Sequence, residues 1–188
     1  ARTLTFNDYK LLNRMYNCAG VCTTVPICRN GGYPSPKYCT CKCPDFFTGA
    51  SCEFEKSVIN INATTSGTIS FYVPYDPVRY QNQNNFKYNN WDLFRKDNER
   101  IIKAPVGKRI RVSINRVVVD KEPCILTCPY FGLEIVDTAN GDLTSVGKTF
   151  CCPQYNNYSF VSKTNIIGYR AFVSPGMYFN SSVIFTVV

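Results

Sequence analysis

Eleven cysteines are distributed unevenly along this chain of 188 residues, and seven of them (Cys18, Cys22, Cys28, Cys39, Cys41, Cys43 and Cys52) fall within its first third. A structural zinc site would need separated cysteine pairs, with His or Cys completing a tetrahedron. The chain has no His, and its cysteines run as one dense ladder. The density therefore reads as a disulfide framework formed in an oxidising compartment. From Val21 to Glu53 apolar periodicity is almost absent, while Asn30-Gly31-Gly32 and Pro34-Ser35-Pro36 are turn signals. A segment of that size cannot bury enough apolar surface to hold itself together, so covalent links must do so.

Three acceptor sequons, at Asn62, Asn157 and Asn180, agree with passage through a secretory pathway and make these positions glycosylation candidates. No apolar run is long enough to span a bilayer, and Ala1-Arg2-Thr3-Leu4-Thr5 does not have the pattern of a signal peptide. The expectation is a secreted chain that is mature, truncated or cut from something longer.

Residues 5 to 17 are expected to be helical. Thr5 can cap the helix, with Asp8 three positions on in a capping-box arrangement. Leu12, Met15 and Tyr16 recur at helical spacing with Leu11 alongside, Cys18 ends the segment, and Gly20 can terminate the turn. With nothing local to pack on, this helix is expected to be the end of another domain. Beyond Glu53 the texture becomes β-rich, with short runs over Thr68–Val73, Arg109–Val119, Gly132–Val136, Tyr169–Val173 and Tyr178–Val188. Asn140-Gly141 reads as a two-residue hairpin turn. Residues 74 to 98, with Pro74, Pro77 and many Asn and Gln, read as a long connection rich in aromatics. There Trp91 is either packed by its neighbours or part of a contact surface. Many short strands of this kind predict a β-sandwich.

The net charge of +8 concentrates in Lys103 to Arg116. Within it Ile110, Val112 and Ile114 alternate with Arg109, Arg111 and Ser113, the pattern of a half-buried strand with a solvated basic face. Arg109 and Arg111 could attract a heparin-like polyanion, or simply satisfy the need of an exposed strand face for polar side chains. Nucleic acid is not among the expected partners.

The ladder Cys22-x5-Cys28-x10-Cys39-x-Cys41-x-Cys43-x8-Cys52, with Asn30-Gly31-Gly32 after its second cysteine and the Gly49 turn before its last, resembles the EGF-like module. The resemblance implies pairing of Cys22 with Cys39, Cys28 with Cys41, and Cys43 with Cys52; spacing alone leaves fifteen arrangements open. The stretch Asn17 to Val21 lacks the carboxylates of the calcium-binding subtype. The β-rich remainder resembles a CUB domain, a jelly-roll sandwich. The residues that carry this likeness are Ile102 to Ile110, then Cys128-Pro129-Tyr130-Phe131-Gly132-Leu133-Glu134-Ile135, then Gly147 to Cys152. Phe131 or Gly132 stands where calcium-binding CUB domains carry an acidic residue, which argues against a calcium-dependent site. The family's first disulfide has no counterpart, since no cysteine lies between Cys52 and Cys124. Cys124 and Cys128 face the adjacent Cys151 and Cys152. We expect Cys128 with Cys151 and Cys124 with Cys152, the swapped pairing being the alternative.

An EGF-like module followed by such a doubled-cysteine CUB domain is similar to nematode astacin-type zinc metalloendopeptidases, and Leu4 to Cys18 resembles the final helix of their catalytic domain. The resemblance implies a terminal helix over 1–18, an EGF-like module over 19–53 and a CUB-like domain over 54–188. It leaves Cys18 unpaired, or bonded to a catalytic body outside the chain. Astacin-type enzymes hold zinc through a His-rich helix motif whose Glu is the general base. With no His here, no such site and no Cys/His or Ser/His pair can form. Zinc is expected only in the missing catalytic domain, and Glu134 and Asp137 read as polar strand positions. The expectation is a noncatalytic, mainly β EGF–CUB region that positions or restrains a protease by binding substrate, matrix or a protein partner. The alternative is a stand-alone secreted EGF–CUB protein engaging a host or matrix partner.

Overall fold

The computed structural model describes residues 4–75, 96–119, 127–128, 130–174 and 176–188. Trp91, Cys124 and most of the connection expected over 74–98 lie outside these residues.

The chain opens with helix α1 (Phe6–Met15). Its capping box closes in both directions: the Asp8 amide donates to Thr5 Oγ1 at 3.2 Å, and the Thr5 amide donates to Asp8 Oδ2 at 2.8 Å. These bonds satisfy donors that the first helical turn leaves open, and the side-chain bond from Thr5, with that from its amide, holds the Asp8 carboxyl below its usual range. The helix stops two residues short of the expected span because Asn17 takes a left-handed conformation, φ 46°. A 3-10 turn, Cys18–Val21, follows.

Residues 22 to 55 fold into two small hairpins. Strand β1 (Tyr33–Ser35) pairs with β2 (Thr40–Lys42), and β3 (Phe47–Thr48) pairs with β4 (Phe54–Glu55). Bridges join Cys22 to Cys39, Cys28 to Cys41 and Cys43 to Cys52, with Cα separations of 5.6, 5.6 and 5.3 Å. Gly31 and Gly49 sit at φ 80° and 101°, where a side chain would be strained.

The remainder is a two-sheet β-sandwich. Its strands are β5 (Val58–Asn60), β6 (Gly67–Val73), β7 (Lys96–Lys103), β8 (Ile110–Val119), β9 (Phe131–Val136), β10 (Lys148–Phe150), β11 (Tyr158–Val161), β12 (Ile166–Val173) and β13 (Phe179–Val187). One sheet has the order β10-β9-β12-β7-β5 and the other β11-β8-β13-β6. All neighbours run antiparallel except β5 and β7. Ile102, Leu133, Ile135, Ile167 and Tyr169 of the first sheet meet Ile110, Val112, Ile114, Phe179, Val183 and Phe185 of the second in one buried core. Cys128 is bridged to Cys151 within it. Cys152 is also disulfide-bonded, with its Sγ 3.7 Å from that of Cys151.

Several expectations need correction. Asn140-Gly141 does not close a two-residue hairpin. Strands β9 and β10 pair across residues 137–147, and Gly141, at φ 70°, turns the chain inside that loop. The connection expected to end at 98 gives way to strand β7 at Lys96. Strand β8 alternates as expected through Ile114. A register shift opposite Ser182 and Val183 then inserts one residue, so Asn115 and Arg116 are both exposed and burial resumes at Val117. Glu134 is no solvent-facing strand position, because its carboxylate is buried against the first module. Asp137 lies beyond β9, where Oδ1 accepts from the Lys163 amide at 2.8 Å.

Candidate functional site

Strands β7, β12 and β9 carry a row of three residues on the face turned away from the sandwich core: Ile101, Gly168 and Val136, directly opposite one another. Gly168 makes a notch in that row, and the Phe46 ring fills it. A Cβ on Gly168 would lie 2.6 Å from the ring. Phe46, Ile101, Val136 and Leu143 form a second buried cluster, with Phe47, Val58 and Ile166 packed around it. The disulfide-rich module therefore packs on the outer face of the five-stranded sheet, so β9 is buried on both sides: Leu133 and Ile135 in the sandwich core and Val136 beneath Phe46.

The next cross-strand row on the same face is Glu99, Arg170 and Glu134. Arg170 Nη1 donates to Asp45 Oδ2 of the small module at 2.8 Å, and Nη2 lies 2.8 Å from Glu134 Oε2. Glu134 Oε1 in turn accepts from the Gly147 amide at 2.7 Å. One guanidinium thus serves two carboxylates, the geometry that suits its planar fork. Two further pairs cross the junction, Lys56 with Glu99 at 2.8 Å and Lys103 with Glu55 at 2.6 Å.

Helix α1 reaches the same place. Asn7 Nδ2 donates to the Thr144 carbonyl at 3.1 Å, and the Thr144 methyl lies against Gly31. Thr144 is fixed by Asp142, whose Oδ1 accepts from its amide and hydroxyl at 2.8 and 2.7 Å. Burial is the largest single influence on the Asp142 carboxyl and pulls its pKa upward. The bonds from Thr144 and Ser145 and the charge of Lys10 together outweigh it and hold the pKa below the ordinary value. Between α1 and the two modules lies a cleft of about 360 Å³ whose walls include Leu4, Phe6, Asp45, Phe46, Leu143 and Arg170.

The other sequence-derived candidates are scattered. Arg109 and Arg111 are both exposed. Arg111 lies opposite Val161 on one side and Thr186 on the other, so its strand neighbours add no charge. Asn62 and Asn157 are exposed and Asn180 is half-buried on β13. Asn62 Oδ1 accepts from the Thr64 hydroxyl at 2.8 Å, and Asn157 is left-handed at φ 66°. Cys18 is the free cysteine among the described residues, at intermediate exposure. It follows a helix without a buried residue, whose Leu11 and Met15, with Tyr16 at its C-terminal cap, are more than half exposed.

Among the described residues no group of three His, Cys, Asp or Glu is arranged to hold a metal. The zinc of an astacin-type enzyme needs imidazole ligands, and this chain offers none. Its residues do not fit that metal. No described helix is long and apolar enough to cross a membrane. The Phe46–Gly168 notch and the Asp45–Arg170–Glu134 system were not foreseen. The sequence signals were a glycine and an arginine, Gly168 and Arg170, interrupting the otherwise apolar and aromatic stretch Ile166 to Val173.

No family model matches the chain. Among curated proteins it is similar to zinc metalloproteinase nas-29 of Caenorhabditis elegans, 29% identical over 175 residues, covering 89% of this chain and 30% of that protein. Zinc metalloproteinase nas-23 of the same nematode is 30% identical over 165 residues, covering 87% and 28%. Zinc metalloproteinase dpy-31 of Haemonchus contortus is 49% identical over a shorter stretch of 51 residues, 27% of this chain and 9% of that one. Of solved structures, the CUB1-EGF-CUB2 domains of rat MASP-1 align with a TM-score of 0.44 and 14% identity, covering 70% of this chain and 42% of that one. The chain spans only 22% to 36% of the length of the first four relatives. The homologues of this chain are nematode zinc metalloproteinases of the astacin type, matched to it along a minor part of their length.

Proposed function

We propose that this chain is the noncatalytic EGF–CUB region of a secreted, astacin-like zinc metalloendopeptidase. Residues 1–18 end the catalytic domain, 19–53 form the EGF-like module, and 54–188 form the CUB-like domain. Its role is to bring the protease to a protein or matrix partner by surface contact. The observation that carries this reading is a mismatch between relatives and residues. The relatives are zinc metalloproteinases, whereas this chain, matched over most of its own length, lacks the His that their metal requires. Catalysis therefore belongs to residues outside it. The uncovered apolar side chains of α1 support the same reading, since a helix with such a face packs against something. Sequencing the transcript upstream of the Ala1 codon tests it. A His-rich zinc motif in the same reading frame is expected, and an upstream sequence encoding no protease domain overturns the proposal.

A second reading is favoured by Cys18. As an unbridged, partly exposed thiol, it suits a stand-alone secreted protein that engages a host or matrix partner, or joins another chain through that sulfur. The non-reduced mass of the protein from its natural source distinguishes the two. A species of this chain alone, or of a disulfide-linked pair, supports the second reading; Cys18 bonded within a longer polypeptide removes it.

A further inference from the structure

The two modules are joined without slack. Strand β4 ends at Glu55 and β5 begins at Val58, leaving Lys56 and Ser57 as the whole connection. Both are held by backbone bonds. The Lys56 amide donates to the Phe46 carbonyl at 2.9 Å, and the Ser57 carbonyl accepts from the Ile101 amide at 3.1 Å. One connecting residue is therefore tied to the small module and the other to the sandwich sheet. Domains move relative to one another when their linker is exposed, polar and free of contacts, and this connection is the reverse.

The surfaces on either side carry the same message. Phe46 is 3% exposed, and Ile101 is fully buried although it points away from the sandwich core. A half-turn of the small module would return Phe46, Ile101, Val136 and Leu143 to water together. It would also take Asp45 away from the Arg170 guanidinium, which would then keep Glu134 alone. On the other flank, Asn7 ties α1 to Thr144 in the loop that also touches Gly31.

We propose that the small module, the sandwich and helix α1 tumble as one rigid body, with the Phe46–Gly168 notch as its lock and the Asp45–Arg170–Glu134 system fixing its rotation. This deepens the proposed function and rests on it in one respect. If α1 belongs to a catalytic domain, the sandwich is held at a fixed distance and orientation from that domain. It is then a spacer that determines where a captured partner meets the protease, rather than a flexible tether that raises local concentration. The residues that set this geometry are the junction's own.

Backbone ¹⁵N relaxation on the intact, oxidised chain tests it. Amides of helix α1, of residues 22–55 and of strands β5 to β13 are expected to report the same overall correlation time and the same diffusion axes. A shorter correlation time for residues 22–55 in the wild-type chain overturns the proposal. Gly168→Leu combined with Arg170→Met is expected to shorten the small module's correlation time while the sandwich keeps its own. A flexible Gly-Ser insertion between Lys56 and Ser57 serves if that variant misfolds. Correlation times that stay equal in the insertion variant support the lock, because the contact then holds without the short connection, whereas a shorter time for residues 22–55 in that variant stands against it. None of these outcomes depends on what is encoded upstream, so failure of rigidity and failure of the protease reading are told apart.

Discussion

Tyr169 is fully buried at the centre of the core, and burial pushes its pKa up to about 12, with the nearby Ser181 hydroxyl offsetting part of the effect. Neither Tyr169 Oη nor Ser181 Oγ closes a hydrogen bond of good geometry. The folded pKa lies above the ordinary value near 10, so the unfolded chain loses its proton first. The contribution of Tyr169 to stability is constant below about pH 10 and is lost as pH rises toward 12, by an amount on the order of 2 kcal/mol. Comparing denaturant midpoints of wild type and Tyr169→Phe from pH 8 upward checks this. The variant should be close to neutral at pH 8, because the hydroxyl it removes is poorly satisfied, and should resist alkali better. Parallel decline of both proteins would refute the assignment. Phe46 offers a second residue-scale test. Phe46→Ala removes a buried ring and leaves a cavity, a change that costs roughly 3–5 kcal/mol in a packed site, and urea unfolding monitored on the sandwich should register it.

Among the elements, α1 owes its start to Thr5. Thr5→Ala should weaken the first turn by about 1 kcal/mol, seen as faster hydrogen exchange at the Asp8 and Tyr9 amides with the sandwich unchanged. Strand β7 shows why one central element was not legible. Its sequence, Lys-Asp-Asn-Glu-Arg-Ile-Ile-Lys, has four charged residues among its first five and then two adjacent isoleucines, so it has neither alternation nor a continuous apolar run. Ile102 faces the sandwich core and Ile101 faces Phe46, so both are buried, and the charges of Glu99 and Lys103 go to ion pairs with the small module. The pattern becomes sensible only once a second module covers the sheet. Strand β8, with one face in the core and the other open, carries its alternation visibly as far as the bulge.

For the molecule as a whole, the three bridges of the small module close loops of 17, 13 and 9 residues. Loops of that size contribute about 3 kcal/mol each by constraining the unfolded chain, against a module whose buried side chains number few. Mild reduction should therefore abolish amide protection over residues 22–55 before the near-UV signal of the sandwich is lost. Simultaneous loss of both would show that the sandwich cannot stand without the cover over its outer face. The polyanion reading also has its test at this scale. Arg109→Ser with Arg111→Ser should lower the salt concentration needed to elute the protein from heparin if these residues form the contact. Unchanged elution places the affinity in the overall charge of +8.

Composition and local pattern are enough to read the chemical class of this protein. Cysteine density, the absence of His and the period-two apolar runs are local properties, and they point to cross-linking, to no histidine-ligated zinc and to a β-rich body without reference to any contact. Tertiary structure decided the rest: that Ile101, Gly168 and Val136 line up, that Phe46 enters the notch they form, and that Glu134 is buried rather than solvated. Those facts depend on which residues, distant along the chain, a folded sheet brings opposite one another. No periodicity records that register, because the buried face of each strand is defined by its partner and not by its own sequence.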